Sequence, residues 1–311
     1  MRGHDVQVTA REFAQTTNLL EKYEIPFTLI GAHAGPRLAR KIADVAARAT
    51  QLHTFAKKYH FDKALTFNSP SMAVASRLLN IPTMVFMDYE FQPLNHLTFR
   101  FANTVVTPIH FPEESLARFG ALKKTVTYDG LKEQVYLSSY QPDRDFRKCL
   151  DLDAQRIIVT VRPPATMALY HRFENTFFYD VVKSLTKHRD VTVIAIPRVL
   201  EQRGIFESFG SDRLIIPDSA LDGRDLVYHS DLVISAGGTM TREAAVMGTP
   251  AYTLFRGRIG AVDKYLIKLG RIVPILCKED TDKIKITKID KKKVLSNPSV
   301  TTTILHYILQ T

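Results

Sequence analysis

The run Leu232-Val233-Ile234-Ser235-Ala236-Gly237-Gly238-Thr239-Met240-Thr241-Arg242-Glu243 sets two glycines between an apolar β-branched stretch and a stretch that reads as a helix. Glycines in such a turn let a ligand's phosphates approach the backbone. The free N–H groups and positive dipole end of a helix start favour anions. Gly237, Gly238, Thr239 and Thr241 are therefore candidates for binding a diphosphate. Glu243, read in the first helical turn, is a candidate acceptor for a ribose's hydroxyls. A second account stays open, in which the glycines only make a tight turn and Glu243 complements the helix dipole. A capping box is excluded, because three residues before Glu243 stands Met240, whose side chain cannot cap.

Further candidates fall at the ends of other strand-like runs. Arg162 follows Ile157–Val161 and could neutralise phosphate, with Pro163-Pro164 holding the loop extended; a surface arginine before a turn is the alternative. His171, in the same loop, has the chemistry of a general base at neutral pH, although a lone loop histidine is commonly unremarkable. Arg256, Arg258 and Asp263 follow the run Ala251–Phe255 and suit phosphate or sugar hydroxyls, or are simply solvated. In the N-terminal half, Thr83–Met87 ends in Asp88-Tyr89-Glu90. Two carboxylates there suit acid–base work on a hydroxyl, and acids at a helix start are the other reading.

Several chemistries are set aside. Asp151-Leu152-Asp153 resembles a glycosyltransferase metal motif in form, but it follows no buried strand. The ten histidines include no His-Glu-x-x-His, and neither a metal nor a cofactor is expected. There is no phosphate-binding P-loop and no Gly-x-Ser-x-Gly elbow, which argues against a kinase or an α/β-hydrolase. The 42 basic against 32 acidic residues give a net charge of +10, which favours phosphate-bearing partners. Part of the excess lies in the run from Lys283 to Lys293, read as a solvated surface in preference to a phosphate patch. No nucleic-acid motif occurs. Cys149 and Cys277 share no redox or metal spacing, and no signal core or membrane span is present, so a cytoplasmic protein is expected. Weak peripheral membrane contact is a further expectation, from Arg37, Arg40 and Lys41 interleaved with Leu38, Ile42 and Val45 after Pro36; the ordinary reading is an amphipathic helix on its own sheet.

The elements that must position these residues alternate along the chain. Strand-like runs at 6–9, 27–30, 64–67, 83–87, 104–107 and 125–128 are separated by amphipathic stretches. The pattern loosens between Asp129 and Gln155, where the connection between two lobes is expected, and restarts with runs at 157–161, 191–196, 214–216, 232–235 and 251–255. Strands separated by helices mean βαβ units and parallel sheets. We expect an α/β protein of two doubly wound Rossmann-like lobes, 1–140 on an acceptor side and 141–311 binding the nucleotide-sugar and ending in a helix. Ligands of such sheets bind beyond the carboxyl ends of the strands.

The stretch Gly237 to Pro250 resembles the nucleotide-binding motif of GT-B glycosyltransferases, closest to the N-acetylglucosaminyltransferase that forms lipid II, and of UDP-N-acetylglucosamine 2-epimerases. In both, an acidic residue before a Gly-x-Pro turn holds the uridine ribose, the place of Glu243 before Gly248-Thr249-Pro250. The whole chain resembles a prokaryotic family of unknown function beside those enzymes, through Arg2-Gly3-His4, Val8-Thr9-Ala10-Arg11, Val161-Arg162-Pro163-Pro164-Ala165-Thr166 and Gly260-Ala261-Val262-Asp263-Lys264-Tyr265. The resemblance implies a GT-B-like fold and a nucleotide diphosphate-sugar ligand. It also implies an N-terminal lobe lacking its first βα unit, since Arg2-Gly3-His4-Asp5 reads like the turn after such a helix. Where the epimerases carry His-Gly-Asp, this chain has Phe67-Asn68-Ser69, so transfer to an unknown acceptor is expected over epimerisation. An epimerase or hydrolase in the same cleft, or a non-catalytic nucleotide-sugar-binding protein, are the alternatives.

Overall fold

The computed structural model describes residues 3–12, 16–32, 38–164, 176–290 and 292–310, with the side chains of 32 and 38–41 left aside. Two compact units form, Met1–Thr107 with Phe111–Thr127 and Pro108–His110 with Tyr128–Thr311. His171 lies outside the described residues, as do Arg37 and the side chains of Arg40 and Lys41.

The first unit runs β1 (Thr9–Glu12), α1 (Thr16–Lys22), β2 (Thr28–Ala32), α2 (Leu38–Ala56), β3 (Ala64–Phe67), α3 (Pro70–Leu78), β4 (Thr83–Phe86), α4 (Asn95–Phe101), β5 (Thr104–Pro108), α5 (Glu113–Arg118) and β6 (Thr125–Tyr128). The expected strand at 6–9 forms three residues later. Its ladder starts where Val8 accepts the Thr28 N–H, and Val6 stays 72% exposed. The strands make two sheets, β1-β2 and β3-β4-β5-β6. Leu65 and Phe67 of β3, at the edge of its sheet, are exposed. Val85, Phe99, Val105, Leu116 and Phe119 form the core against β4 and β5.

The second unit runs α6 (Lys132–Leu137), α7 (Phe146–Cys149), β7 (Ile157–Arg162), α8 (Thr176–Leu185), β8 (Val191–Ala195), α9 (Leu200–Glu207), β9 (Leu214–Ile215), α10 (Gly223–His229), β10 (Leu232–Ser235), α11 (Thr239–Met247), β11 (Ala251–Thr253), α12 (Ala261–Lys268), β12 (Ile272–Pro274) and α13 (Ser299–Gln310). The stretch 129–155, expected as a connection, instead folds into α6 and α7. Phe146 enters the core, and Tyr136 on α6 bonds to α11. The short β12 and its partner β11 went unread or over-read, because three-residue strands carry almost no periodicity.

All six strands are parallel, in the order β12-β11-β10-β7-β8-β9. Numbered from β7, this is the 3-2-1-4-5-6 order of a doubly wound sheet, and it reverses between β7 and β10. Successive residues enter opposite cores, Ile158 and Val233 on one face, Val159, Leu232 and Ile234 on the other. That is why these runs read as continuously apolar.

The basic run near the C-terminus is not simply a solvated face. Lys292 Nζ donates to the carbonyls of Val227, Tyr228 and Ser230 at the end of α10, and burial pulls its pKa down to about 8. Lys288 donates to Ala154 and Arg156 carbonyls. The segment also packs on Gly248, which ends α11 in the left-handed region at φ 80°. A Cβ there would lie 2.6 Å from the Lys293 backbone. Gly248→Ala is therefore expected to cost about 2 kcal/mol or more and to lower the thermal midpoint, which an unchanged melting curve would refute.

Candidate functional site

The sheet reversal places the carboxyl ends of β7 and β10 side by side, with Arg162 opposite Ser235 and the Ala236 N–H donating to the Arg162 carbonyl at 3.0 Å. Beyond them the chain turns through Gly237 and Gly238 into α11. The turn is tied locally. Gly237 N–H donates to Ser235 Oγ at 3.2 Å, and Thr241 Oγ1 donates to the Gly237 carbonyl at 2.7 Å. Gly238 is the N-cap and no side chain caps the helix, while Gly238 and Thr239 are exposed. The first N–H groups of a helix have no partner within it, so this end presents donors and positive potential to solvent.

The helix starts at Thr239, where the Arg242 N–H already bonds the Gly238 carbonyl. Glu243 therefore stands in the second turn, and the account of it as a first-turn acid complementing the dipole falls away. Its side chain is buried, and Oε1 accepts a hydrogen bond from Tyr136 Oη on α6 at 2.8 Å. Burial raises its pKa to about 7; the Tyr136 bond, Arg162 and Lys132 pull down, and the Glu133 carboxylate pushes up. Glu133 is itself wholly buried, with Lys132 Nζ 3.0 Å from Oε1 and no hydrogen-bond partner for Oε2 among the described residues. Arg162 likewise has a buried Nε without a hydrogen-bond partner among the described residues, and burial lowers its pKa while Glu243 raises it. Acceptors and donors thus stand buried near one another, an arrangement that costs stability unless a ligand completes it.

The remaining candidates separate. Thr241 spends its hydroxyl on the turn. Asp263, on α12, forms a two-point ion pair with the buried Arg242, Oδ1 to Nε at 2.6 Å and Oδ2 to a terminal nitrogen at 3.1 Å. Arg256 is exposed and lies 5.2 Å over the Phe177 ring. In the first unit, Asp88 and Glu90 are both buried, at 5% and 3% exposure, and α4 begins only at Asn95, so neither is a helix-start acid. Near them Asn68, at φ 54°, donates to Asn95 Oδ1 at 2.9 Å and accepts from Thr98 Oγ1, while Ser69 caps α3. No carboxylate occupies that turn.

Sequence reasoning missed Tyr136, Glu133 and Lys132, since α6 lay in the stretch read as a connection. It also passed over Arg198, although Arg198 follows the end of β8 much as Arg162 ends β7. Among the described residues no group of three or more metal-ligating side chains occurs, and no helix is long and apolar enough to cross a membrane.

A family model described as "Protein of unknown function (DUF354)" matches residues 1–305. An uncharacterized protein, MJ0665 of Methanocaldococcus jannaschii, is 27% identical over 277 residues, covering 87% of this chain and 80% of its own. Among solved structures, the chain is similar to the Methanocaldococcus jannaschii UDP-GlcNAc 2-epimerase in complex with UDP-GlcNAc and UDP, with a TM-score of 0.65 at 13% identity over 97% of this chain and 99% of that one. It is also similar to spinosyn rhamnosyltransferase SpnG, with a TM-score of 0.55 at 14% identity over 90% and 81% of the two chains. For Acinetobacter baumannii MurG the TM-score is 0.50 at 14% identity over 100% and 92%. The fold is therefore that of GT-B-type enzymes, with two Rossmann-like lobes.

Proposed function

The chain belongs to the family described as "Protein of unknown function (DUF354)", and we propose that it binds a nucleoside diphosphate-sugar, with uridine as the base, and transfers the sugar to an acceptor. The observation that carries this reading is the buried Glu243 carboxylate, one turn inside an uncapped helix start at the sheet's reversal point. Tyr136 occupies Oε1, which leaves Oε2 for a ribose hydroxyl. The N–H groups of Gly238 and Thr239, with Arg162, then receive the diphosphate. Asp88, Glu90 or His171 would take the acceptor's proton. The names of the similar structures include an epimerase bound to UDP-GlcNAc and UDP and a rhamnosyltransferase, which supports a nucleotide-sugar ligand.

Transfer is favoured over epimerisation by the Asn68–Asn95–Thr98 network, which fills with neutral groups the turn where the epimerases carry an aspartate. Proton NMR of the protein with UDP-N-acetylglucosamine decides between them. The transferase reading expects no manno epimer, and UDP release only when an acceptor is supplied. Steady inversion at the sugar C2 would contradict it and favour the epimerase. Binding without any turnover across a broad acceptor set would favour a non-catalytic nucleotide-sugar-binding protein.

A further inference from the structure

Arg198 stands just past β8, the neighbour of β7 on the side away from β10. Two strand spacings, about 10 Å, separate the ends of β8 and β10. Yet a terminal nitrogen of Arg198 lies 3.0 Å from where a Cβ on Gly237 would sit. Gly237 does not have the positive φ that would itself require glycine. A side chain at position 237 would meet the Arg198 guanidinium first. Arg198 is held in place at two points. Its backbone N–H donates to Gln202 Oε1 at 2.8 Å, and its Nε donates to the Pro163 carbonyl at 3.1 Å. Gln202, buried at 3% exposure, is fixed in turn by donating to the Pro164 carbonyl at 2.8 Å.

A guanidinium beside a helix N-terminus gives an anion a second positive group to bind, next to the backbone N–H donors. Arg242, also at the turn, is paired with Asp263, and Arg162 has a buried Nε without a hydrogen-bond partner among the described residues. The charge of Arg162 acts on Glu243, while Arg198 lies over Gly237, six residues back toward the helix start. A nucleotide whose ribose sits at Glu243 would pass Arg162 first and Arg198 second.

We propose that Arg198 binds the distal phosphate and that the Arg162–Arg198 pair makes this site select a nucleoside diphosphate over a monophosphate. The inference rests on the nucleotide-sugar reading above. Calorimetric titration of the full chain with UDP, UMP and inorganic pyrophosphate tests it, using wild type, Arg198→Ala and Gly237→Ala. Wild type should bind UDP more tightly than UMP. Arg198→Ala should lose roughly tenfold or more for UDP and pyrophosphate, with UMP changed by less than about threefold. Gly237→Ala, whose Cβ would press on the guanidinium, should weaken UDP and pyrophosphate in the same selective sense and by less. UDP affinity unchanged in a folded Arg198→Ala, or equal losses for UDP and UMP in both variants, would overturn the inference and leave the reading of the site standing. Wild type binding neither UDP nor pyrophosphate would overturn both.

Discussion

Replacing Glu243 with glutamine is expected to stabilise the unliganded protein at pH 8 and to do little at pH 5. Burial is the main reason that its carboxyl holds its proton up to about pH 7, against 4.5 for an exposed glutamate, with the Glu133 charge adding to the effect. Between those values the folded state binds more protons than the unfolded chain, so stability falls as pH rises through the window and the loss is complete above it. A shift of that size corresponds to about 3 kcal/mol. Glutamine keeps the shape, accepts the Tyr136 hydrogen bond and carries no charge, so the slope from this site should vanish. Thermal midpoints of the two proteins at pH 5 and pH 8 measure it. A difference that does not widen with pH would mean that Glu243 is better solvated than its burial indicates. A group that destabilises the empty protein at working pH is expected of binding machinery and hard to explain in a purely structural turn.

The second large effect concerns Arg242 and Asp263. The Arg242 side chain is 4% exposed and Asp263 16%, and the pair joins α11 to α12. Arg242→Ala strands the Asp263 carboxylate and should cost about 3 kcal/mol. Asp263→Asn keeps one hydrogen bond and should lower stability while leaving nucleotide affinity within about threefold. Urea unfolding and UDP titration together separate the roles. Unchanged stability with a tenfold loss of affinity in Asp263→Asn would return Asp263 to the ligand.

The strands of the second unit were legible because both faces of its sheet are covered. Ile157-Ile158-Val159 and Leu232-Val233-Ile234 read as apolar, mostly β-branched runs ahead of Arg162 and Ser235. The Gly237-Gly238 turn was legible for its composition, and Glu243 for its place before Gly248-Thr249-Pro250. What stayed hidden comes from contacts between distant parts of the chain. Tyr136 meets Glu243 across 107 residues, and Arg198 meets the Gly237 turn from a strand two places away. Lys288 and Lys292 looked like solvated charge because nothing local marks a lysine that donates to remote carbonyls, in the turn before β7 for Lys288 and at the end of α10 for Lys292. Asp263 could be read as a ligand residue or as solvated, since its arginine partner is 21 residues away.

Calorimetric titration of UDP into wild type and Glu243→Ala at pH 8, where Glu243 is ionised, addresses the central claim most directly. A ribose hydroxyl bonded to a carboxylate contributes about 1.5–3 kcal/mol, so the variant should bind UDP roughly 10- to 100-fold more weakly while retaining its fold. Equal dissociation constants for the two proteins, or no UDP binding to the wild type, would contradict a nucleotide site at the reversal of this sheet.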